Sequence, residues 1–322
     1  MALGLQWLGS MSHVTPIQRA KTPDELHRCL AKSHSRRLSP RLEAPDFESD
    51  LAREFTIRRL EHELVEAERA AVAPLVRTVP VEPSGFLAWF ESLKACGPGQ
   101  GDPLFPWLAE QANHRQMCWF LEQELAGEAG FDDLVALTQL KLPARAKLEL
   151  ARNYWDEMGQ GTESGMHGPM LGTLAKALHL REQGNTVWES LALGNLMVAL
   201  ATARNYAYQS IGALGAIELT APGRAELVNA GLKRLGIGGA ARRYYALHAT
   251  LDVRHSVTWN REVIAPLVEK DPDVASRIAE GALLRLRAGA RCFERYRREL
   301  WGEARAPRRS RPSLSASHWE GP

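Results

Sequence analysis

Helical periodicity over most of its length is the feature that most constrains the fold of this 322-residue chain. From residue 46 to about residue 300, apolar residues recur at helical spacing, and stretches rich in Gly and Pro separate the periodic segments. No stretch shows the period of two and the β-branched residues that are typical of strands. No repeat of fixed period occurs, which argues against a solenoid. The sequence therefore predicts an all-α fold, a multi-helix bundle with long core helices.

Composition divides the chain into three predicted regions. Residues 1–46 mix Pro, Ser, Arg and Lys without a sustained apolar period, so we expect a loosely ordered leader with a short helix near residues 24–32. Residues 47–303 are predicted to form the helical domain. Residues 304–322 combine several arginines with Pro and Ser, and we expect a basic, flexible tail there.

Charge and cysteine usage narrow the range of partners and compartments. The 40 Lys and Arg residues nearly balance 38 Asp and Glu, so neither nucleic acid nor a membrane is expected as a partner. The longest uncharged piece of the least charged stretch, residues 190–203, is too short to span a bilayer. The N-terminus has no basic region typical of a signal peptide. The 4 cysteines form no CxxC pair, which favours free thiols and a cytoplasmic protein.

The segment HATLDVRH, residues 248–255, is the strongest candidate for chemistry. His248, Asp252 and His255 lie at positions i, i+4 and i+7, so they project from one face of a helix. Two imidazoles and a carboxylate at this spacing suit a divalent metal ion. The alternative is an ordinary polar helix face, in which Asp252 forms a cap or an ion pair.

A second pair of candidate ligands, Glu157 and His167, lies upstream. On a straight helix these residues would be about 15 Å apart along the axis, so they can share a metal centre only if the helix breaks. Three glycines between them make such a break expected. The alternative is that the two side chains serve no common site.

Two carboxylates in apolar surroundings complete the candidate set. Glu218 lies in IGALGAIELTAP, where an unpaired charge would be costly to bury. Glu124 lies in CWFLEQELAGE on a core-facing helix position, and Glu128, one turn later, is its alternative. Each could be a structural carboxylate paired with an arginine rather than a metal ligand. Pro222, which follows Glu218, is expected to begin a new helix.

These motifs together resemble the heme-oxygenase-like di-iron oxidases and oxygenases, often described as iron-containing redox enzymes. The resemblance covers about residues 104–270 and is most specific in NYWDEMGQG with the following His167, in GALGAIEL and in HATLDVRHS. It implies a helical bundle of the heme-oxygenase-like type that binds two Fe(II) ions. The metal ligands that it implies are Glu124, Glu157, His167, Glu218, His248, Asp252 and His255. The four carboxylates of this set balance the charge of two Fe(II) ions.

The resemblance also implies an O2-dependent enzyme, a non-heme di-iron oxidoreductase that acts on a small organic substrate with O2 as co-substrate. An amine or amino-acid-derived substrate is preferred, and Arg204, Arg242 and Arg254 are candidates for holding its carboxylate. Electrons would come from the substrate or from an external reductant, since no GxGxxG fingerprint is present. Bundles of this type often pair along an exposed helix, so a homodimer is an expected state.

Two rival functions fit the same sequence. The first is an enzyme of the heme-oxygenase-like fold without di-iron chemistry, which would hold the carboxylate cluster protonated or ion-paired. The second is a non-catalytic helical interaction protein that uses the leader and the basic tail as docking segments.

Overall fold

The computed structural model describes residues 22–42, 46–127, 130–181 and 186–302. Within these ranges the chain is helical, with only an isolated bridge between Met158 and Met166 as β-type pairing, so the predicted all-α class is confirmed. The α-helices are α1 Pro23–Leu38, α2 Phe47–Val76, α3 Pro83–Cys96, α4 Leu104–Glu110, α5 His114–Gly127, α6 Phe131–Thr138, α7 Ala144–Glu157, α8 His167–Ala177, α9 Trp188–Thr202, α10 Ala207–Arg234, α11 Arg243–Thr258, α12 Ala265–Lys270 and α13 Val274–Trp301.

Helix α9 lies at the centre of the bundle. Its sequence, WESLALGNLMVALAT, is apolar around most of its circumference, and almost every residue from 189 to 201 is buried. A helix of this kind must be surrounded by other helices, and α1, α2, α5, α6, α10 and α13 pack around it. In the part of the chain that the structure describes, no helix is long and apolar enough to cross a membrane.

Helix α10 continues through Pro222, so the predicted helix start at this proline is wrong. The proline has no N–H to donate to the carbonyl of Glu218, one turn earlier. The helix continues across the missing bond because α4, α11 and α13 pack along it. The lost hydrogen bond therefore falls at one of the candidate ligands.

The segment that follows α11 is π-helical rather than a break between two helices. Residues Trp259–Ile264 form this wider turn and lead directly into α12. The Trp259 side chain is fully buried there. Single π-helical turns of this kind often lie beside functional sites, and this one follows the HATLDVRH segment.

The short helix expected near residues 24–32 of the leader is longer in the structure, where residues 23–38 form α1 and pack against α9 and α2. A capping box between Thr22 and Glu25 begins this helix. His34 lies 2.7 Å from Glu61 of α2, and Arg37 donates to the same carboxylate at 2.8 Å. Sequence periodicity underestimates the length of this helix because its buried face is largely polar. Residues 1–21 and the predicted tail lie outside the described residues, and the domain boundaries stay predictions.

Helices α10 and α13 cross at two glycines. A Cβ on Gly212 would clash with the carbonyl of Ile278, and a Cβ on Gly281 would clash with the carbonyl of Gln209. Each glycine therefore faces the backbone of the opposite helix. This close approach fixes α10, which carries Glu218, against the rest of the core.

Replacing Gly212 with Ala is expected to lower the free energy of unfolding by about 1–3 kcal/mol, because the added methyl group pushes two backbones apart. Gly223→Ala is the matched control on the same helix, since a Cβ there meets nothing within 4 Å. It should be neutral or stabilising by up to about 1 kcal/mol. Urea unfolding followed by circular dichroism measures both, and equal stability of the two variants would contradict the crossing.

Candidate metal centre

Two groups of three metal-binding side chains lie in the core. Within each group, one ligand atom from every residue lies within 4.8 Å of the others. All of these side chains are buried except that of His248, which is half-buried. The first group is Glu157, His167 and His248, and the second is Glu218, Asp252 and His255. The structure thus brings six of the predicted ligands together.

A tight turn after α7 assembles the first group. The helix ends at Glu157, and Gly159, Gln160 and Gly161 then adopt positive φ, which reverses the chain. Gly159 approaches the backbone of residue 165 so closely that a Cβ would not fit. His167 therefore begins α8 beside the end of α7, with its Nδ1 2.6 Å from Oε2 of Glu157. The structure contains the helix break that the glycines predict.

Helix α11 contributes to both groups. His248 joins the first group, whereas Asp252 and His255 join Glu218 of α10 in the second. Nδ1 of His255 lies 3.5 Å from Oε2 of Glu218 and 4.0 Å from Oδ1 of Asp252. The H-x3-D-x2-H spacing thus serves two neighbouring groups rather than one.

The donor atoms fit a divalent metal ion in each group. Nδ1 of His167 and Nδ1 of His255 are buried without a hydrogen-bond partner, although carboxylate oxygens lie close to both. Buried polar atoms without partners are rare, because each costs about 1–3 kcal/mol. Imidazole nitrogens and carboxylate oxygens are the ligands that iron and manganese accept. A cation held between these atoms would satisfy them.

The pKa values of these groups reflect burial and crowding. Burial, reinforced by the charge of Glu218, raises the pKa of Glu157 well above its usual value. Burial lowers the pKa of His167 and of His248 to about 4, so both imidazoles are neutral at pH 7. Against the effect of burial, the nearby carboxylates of Glu218 and Asp156 raise the pKa of His255 to about 9. Protons thus offset the crowded carboxylates, and metal binding would displace them.

Side chains around the ligands fix their orientation, and sequence reasoning missed them. Nε2 of His255 donates to Oδ2 of Asp156 at 3.0 Å, which directs Nδ1 towards the second group. Nδ2 of Asn153 donates to Oε1 of Glu218 at 2.6 Å. Asp156 and Asn153 both lie in NYWDEMG, within one helical turn of Glu157. Their closeness in sequence to a candidate ligand is the only feature of the sequence that could have indicated this role. Such contacts set ring orientation and ligand basicity.

Glu124 belongs to neither group of three. Helix α5 places it in the cavity beside them, where the nearest charges are those of Arg285 and Arg224. Burial raises its pKa, and the two arginines oppose that effect. Its role as a metal ligand stays a prediction, and the alternative Glu128 lies outside the described residues.

Asp132 is another carboxylate near the first group. Its charge acts on the pKa of Glu157 and of His167. It lies in the first turn of α6, where acidic residues commonly interact with the helix dipole. Because an acidic residue is common at this position of a helix, the sequence gives no reason to predict that Asp132 lies near the site.

A cavity of about 120 Å³ adjoins the two groups. Two residues of each group line it, namely Glu157 and His248 from the first and Glu218 and Asp252 from the second. Most of its remaining wall is apolar, formed by Phe105, Phe120, Phe131, Leu134, Leu171, Met197, Ile217 and Val228 among others. The arrangement offers a small space with largely apolar walls beside a set of candidate metal-binding side chains.

The arginines in the cavity are not the predicted ones. Arg204 donates to backbone carbonyls at the end of α6, Arg242 donates to Asn229, and the Arg254 side chain is 66% exposed. The cavity is lined instead by Arg224 and Arg285. Closeness in sequence does not separate Arg224 from Arg242, since each lies six residues from a candidate ligand, and Arg285 of α13 is remote from every motif.

Residues 118–290 match the sequence model of a family described as iron-containing redox enzymes. The match covers more than half of the chain and includes all six clustered residues. The chain therefore belongs to the iron-containing redox enzyme family, a helical family of the heme-oxygenase-like fold. Membership gives it an iron-dependent redox role. No curated protein matches the chain.

Replacing Asp156 with Asn is expected to weaken Fe(II) binding about 10- to 100-fold, because the His255 ring loses the carboxylate that orients it. Affinity is measured by competition with a coloured chelator. Arg254→Ala is the matched control, since this exposed side chain lies 3.6 Å from the same carboxylate and should contribute little. If both variants weakened iron binding equally, a general disturbance around Asp156 rather than the orientation of the His255 ring would be responsible, because a pure charge effect would act in opposite directions in the two variants.

The raised pKa of Glu157 gives a pH-dependent prediction for metal-free protein. Because the pKa in the folded state exceeds the ordinary 4.5, folding takes up a proton and stability falls as pH rises through this interval. Glu157→Gln cannot ionise, so its stability relative to the parent should increase with pH. Urea unfolding in the presence of a chelator measures this. Glu149→Gln, which removes an ion pair with Arg152 on the same helix, should show no such gain.

Proposed function

We propose that this protein is an O2-activating non-heme di-iron oxidase or oxygenase that acts on a small organic substrate. The observation that carries the proposal is the pairing of two buried three-ligand groups, joined by α11, beside one apolar cavity. A single metal site would not need the second group. A purely structural cluster would not need a cavity beside it.

The donor set favours iron. Each group combines carboxylate oxygen with imidazole nitrogen, a set that suits iron or manganese, and membership of the family favours iron. Zinc would accept the same ligands but has no redox chemistry. When bound, a pair of Fe(II) ions supplies the electrons and coordination positions for O2 chemistry, with the protein providing binding and orientation.

The protein's own residues would have three tasks. Asp156 and Asn153 hold the ligands His255 and Glu218 in fixed orientations. The apolar wall excludes water and keeps a small substrate beside the ligand groups. Glu157, with its raised pKa, can hold a proton within the cavity.

The partners in this proposal are a small-molecule substrate, preferably an amine or an amino-acid derivative, and an external reductant where the substrate does not supply the electrons. A cytoplasmic location and a homodimer agree with the sequence, and neither nucleic acid nor a membrane is required.

Anaerobic titration of the metal-free protein with Fe(II), followed by rapid mixing with O2, tests the proposal. We expect two irons per chain, and O2 consumption with a transient visible absorbance. His167→Ala and His255→Ala each remove one ligand from a different group, so each should lower the stoichiometry towards one, and the double variant towards none. His114→Ala, an exposed histidine on α5, is the control and should keep both irons.

The stoichiometries separate the proposal from its rivals. Parent-level iron loading in the double variant would show that the ligand assignment is wrong. Absence of specific iron binding by the parent protein would favour an enzyme or binding protein of the same fold without di-iron chemistry. Two irons without O2 consumption would indicate that substrate must bind before O2 reacts.

A further inference from the structure

Two exposed stripes of side chains lie on the surface beside the second ligand group, and we call them together the α7–α11 face. The face consists of Leu148, Arg152 and Trp155 of α7 and of Arg254, Val257 and Arg261 of α11 and the π-helical segment. Within each stripe the residues are three or four positions apart, so each stripe projects from one side of its helix. All six residues are more than half exposed.

Contacts at both ends of α7 hold the two stripes side by side. At one end, Nη2 of Arg254 lies 3.6 Å from Oδ2 of Asp156 on α7. At the other end, Arg145 of α7 donates to Oε2 of Glu262 at 2.7 Å and to the carbonyl of Arg261 at 3.4 Å. Helix α7 therefore runs antiparallel to α11 and the π-helical segment, and the two stripes form one surface.

Asp156 connects the α7–α11 face with the second ligand group. Its side chain is 19% exposed, and it accepts from Nε2 of His255 at 3.0 Å. The other ring nitrogen of His255 lies 3.5 Å from Oε2 of Glu218. A molecule that contacts the face at Trp155 or Arg254 is thus close to a ligand group without entering the cavity.

The composition of the face suits a protein partner with an acidic surface. Trp and Arg are the residue types that contribute most to binding at protein interfaces, and the face presents both. Its arginines are 65–69% exposed, and Arg145 beside them is 56% exposed, whereas the carboxylates that pair with these four groups are only 9–22% exposed. These carboxylates belong to Glu149, Asp156 and Glu262. A partner therefore meets guanidinium groups first, and such exposed ion pairs are weak enough for its carboxylates to compete for them.

We propose that the α7–α11 face docks a small acidic protein that carries one electron at a time, and that electrons reach the metal centre through Asp156 and His255. Each docking oxidises the carrier by one electron and gives that electron to the metal centre, so two dockings return two Fe(III) ions to Fe(II). The electron-transfer role rests on the proposed di-iron function, whereas docking of an acidic carrier does not.

Surface plasmon resonance with the immobilised full-length, metal-free protein tests the docking. The probes are two acidic carriers, a plant-type two-iron ferredoxin and a flavodoxin, and cytochrome c is the basic control carrier. At low ionic strength both acidic carriers should bind at least about 10-fold more tightly than cytochrome c, because their charges complement the arginines. Added salt should weaken their binding, since exposed charges are screened.

Variants of the face locate the docking site. Trp155→Ala removes the aromatic contact, and Arg152→Glu and Arg261→Glu each reverse a charge in a different stripe, so each should weaken ferredoxin binding about 10-fold. Arg59→Glu is the matched control, because this arginine is 60% exposed on α2 and lies 4.0 Å from Glu63, and it should bind ferredoxin normally. Circular dichroism establishes folding, and the two charge reversals suffice for the test if Trp155→Ala does not fold.

Stopped-flow mixing tests the electron path. Iron-loaded protein is oxidised by O2, made anaerobic and mixed with reduced ferredoxin, whose visible absorbance recovers as it is oxidised. This recovery should be at least about 10-fold slower with Arg152→Glu, because encounter is impaired. The variant should still load two irons per chain, and dithionite, which needs no docking, should reduce it as fast as the parent. Equal rates of ferredoxin oxidation by parent and variant would overturn the path.

Several outcomes would overturn the docking itself. These are equal binding of cytochrome c, no binding of either acidic carrier, or unchanged ferredoxin affinity in all the face variants. Self-association in sedimentation that Trp155→Ala abolishes would assign the face to a second copy of this chain instead. Docking without iron loading would retain the face and reject the di-iron function, and iron loading without docking would do the reverse.

Discussion

Burial of three carboxylates in one apolar core is the constraint on which the rest of this molecule depends. Glu157, Glu218 and Asp252 are all almost inaccessible to solvent, and like charges this close cannot all ionise without compensation. Histidines, hydrogen-bond donors and protons provide that compensation in the protein itself. The surrounding helices must keep these carboxylates close together although the carboxylates repel one another. This requires helices that are rigidly packed.

The rigid packing around the site comes from an apolar central helix and from two helices that cross in close contact. Helix α9 supplies a central rod that is buried along most of its length, and the paired glycines of α10 and α13 let two long helices touch backbone to backbone. With α10 held in this way, Glu218 keeps its place although Pro222 removes the hydrogen bond to its carbonyl. Rigidity thus comes from packing at a distance from the ligands. This packing allows the site to retain buried carboxylates that destabilise the fold locally.

Much of this arrangement could be predicted from sequence, and the limits have physical causes. Helical spacing places His248, Asp252 and His255 on one face, and the glycines after Glu157 predict the turn back to His167. Spacing along one helix cannot reveal which residues of other helices meet that face. The division into two groups, the orienting role of Asp156 and the arginines of the cavity therefore emerge only from tertiary packing. The full length of helix α1 and its packing against the core were not predicted, because its buried face is largely polar.

The shared use of α11 has a consequence for how the two groups would fill. His248 serves one group, and Asp252 and His255 serve the other, so both depend on the position of a single helix. An ion in either group would reduce the motion of that helix and bear part of the entropy cost of ordering the other group. Occupancy of the two groups would then be coupled through α11, and a displacement of that helix would disturb both groups at once.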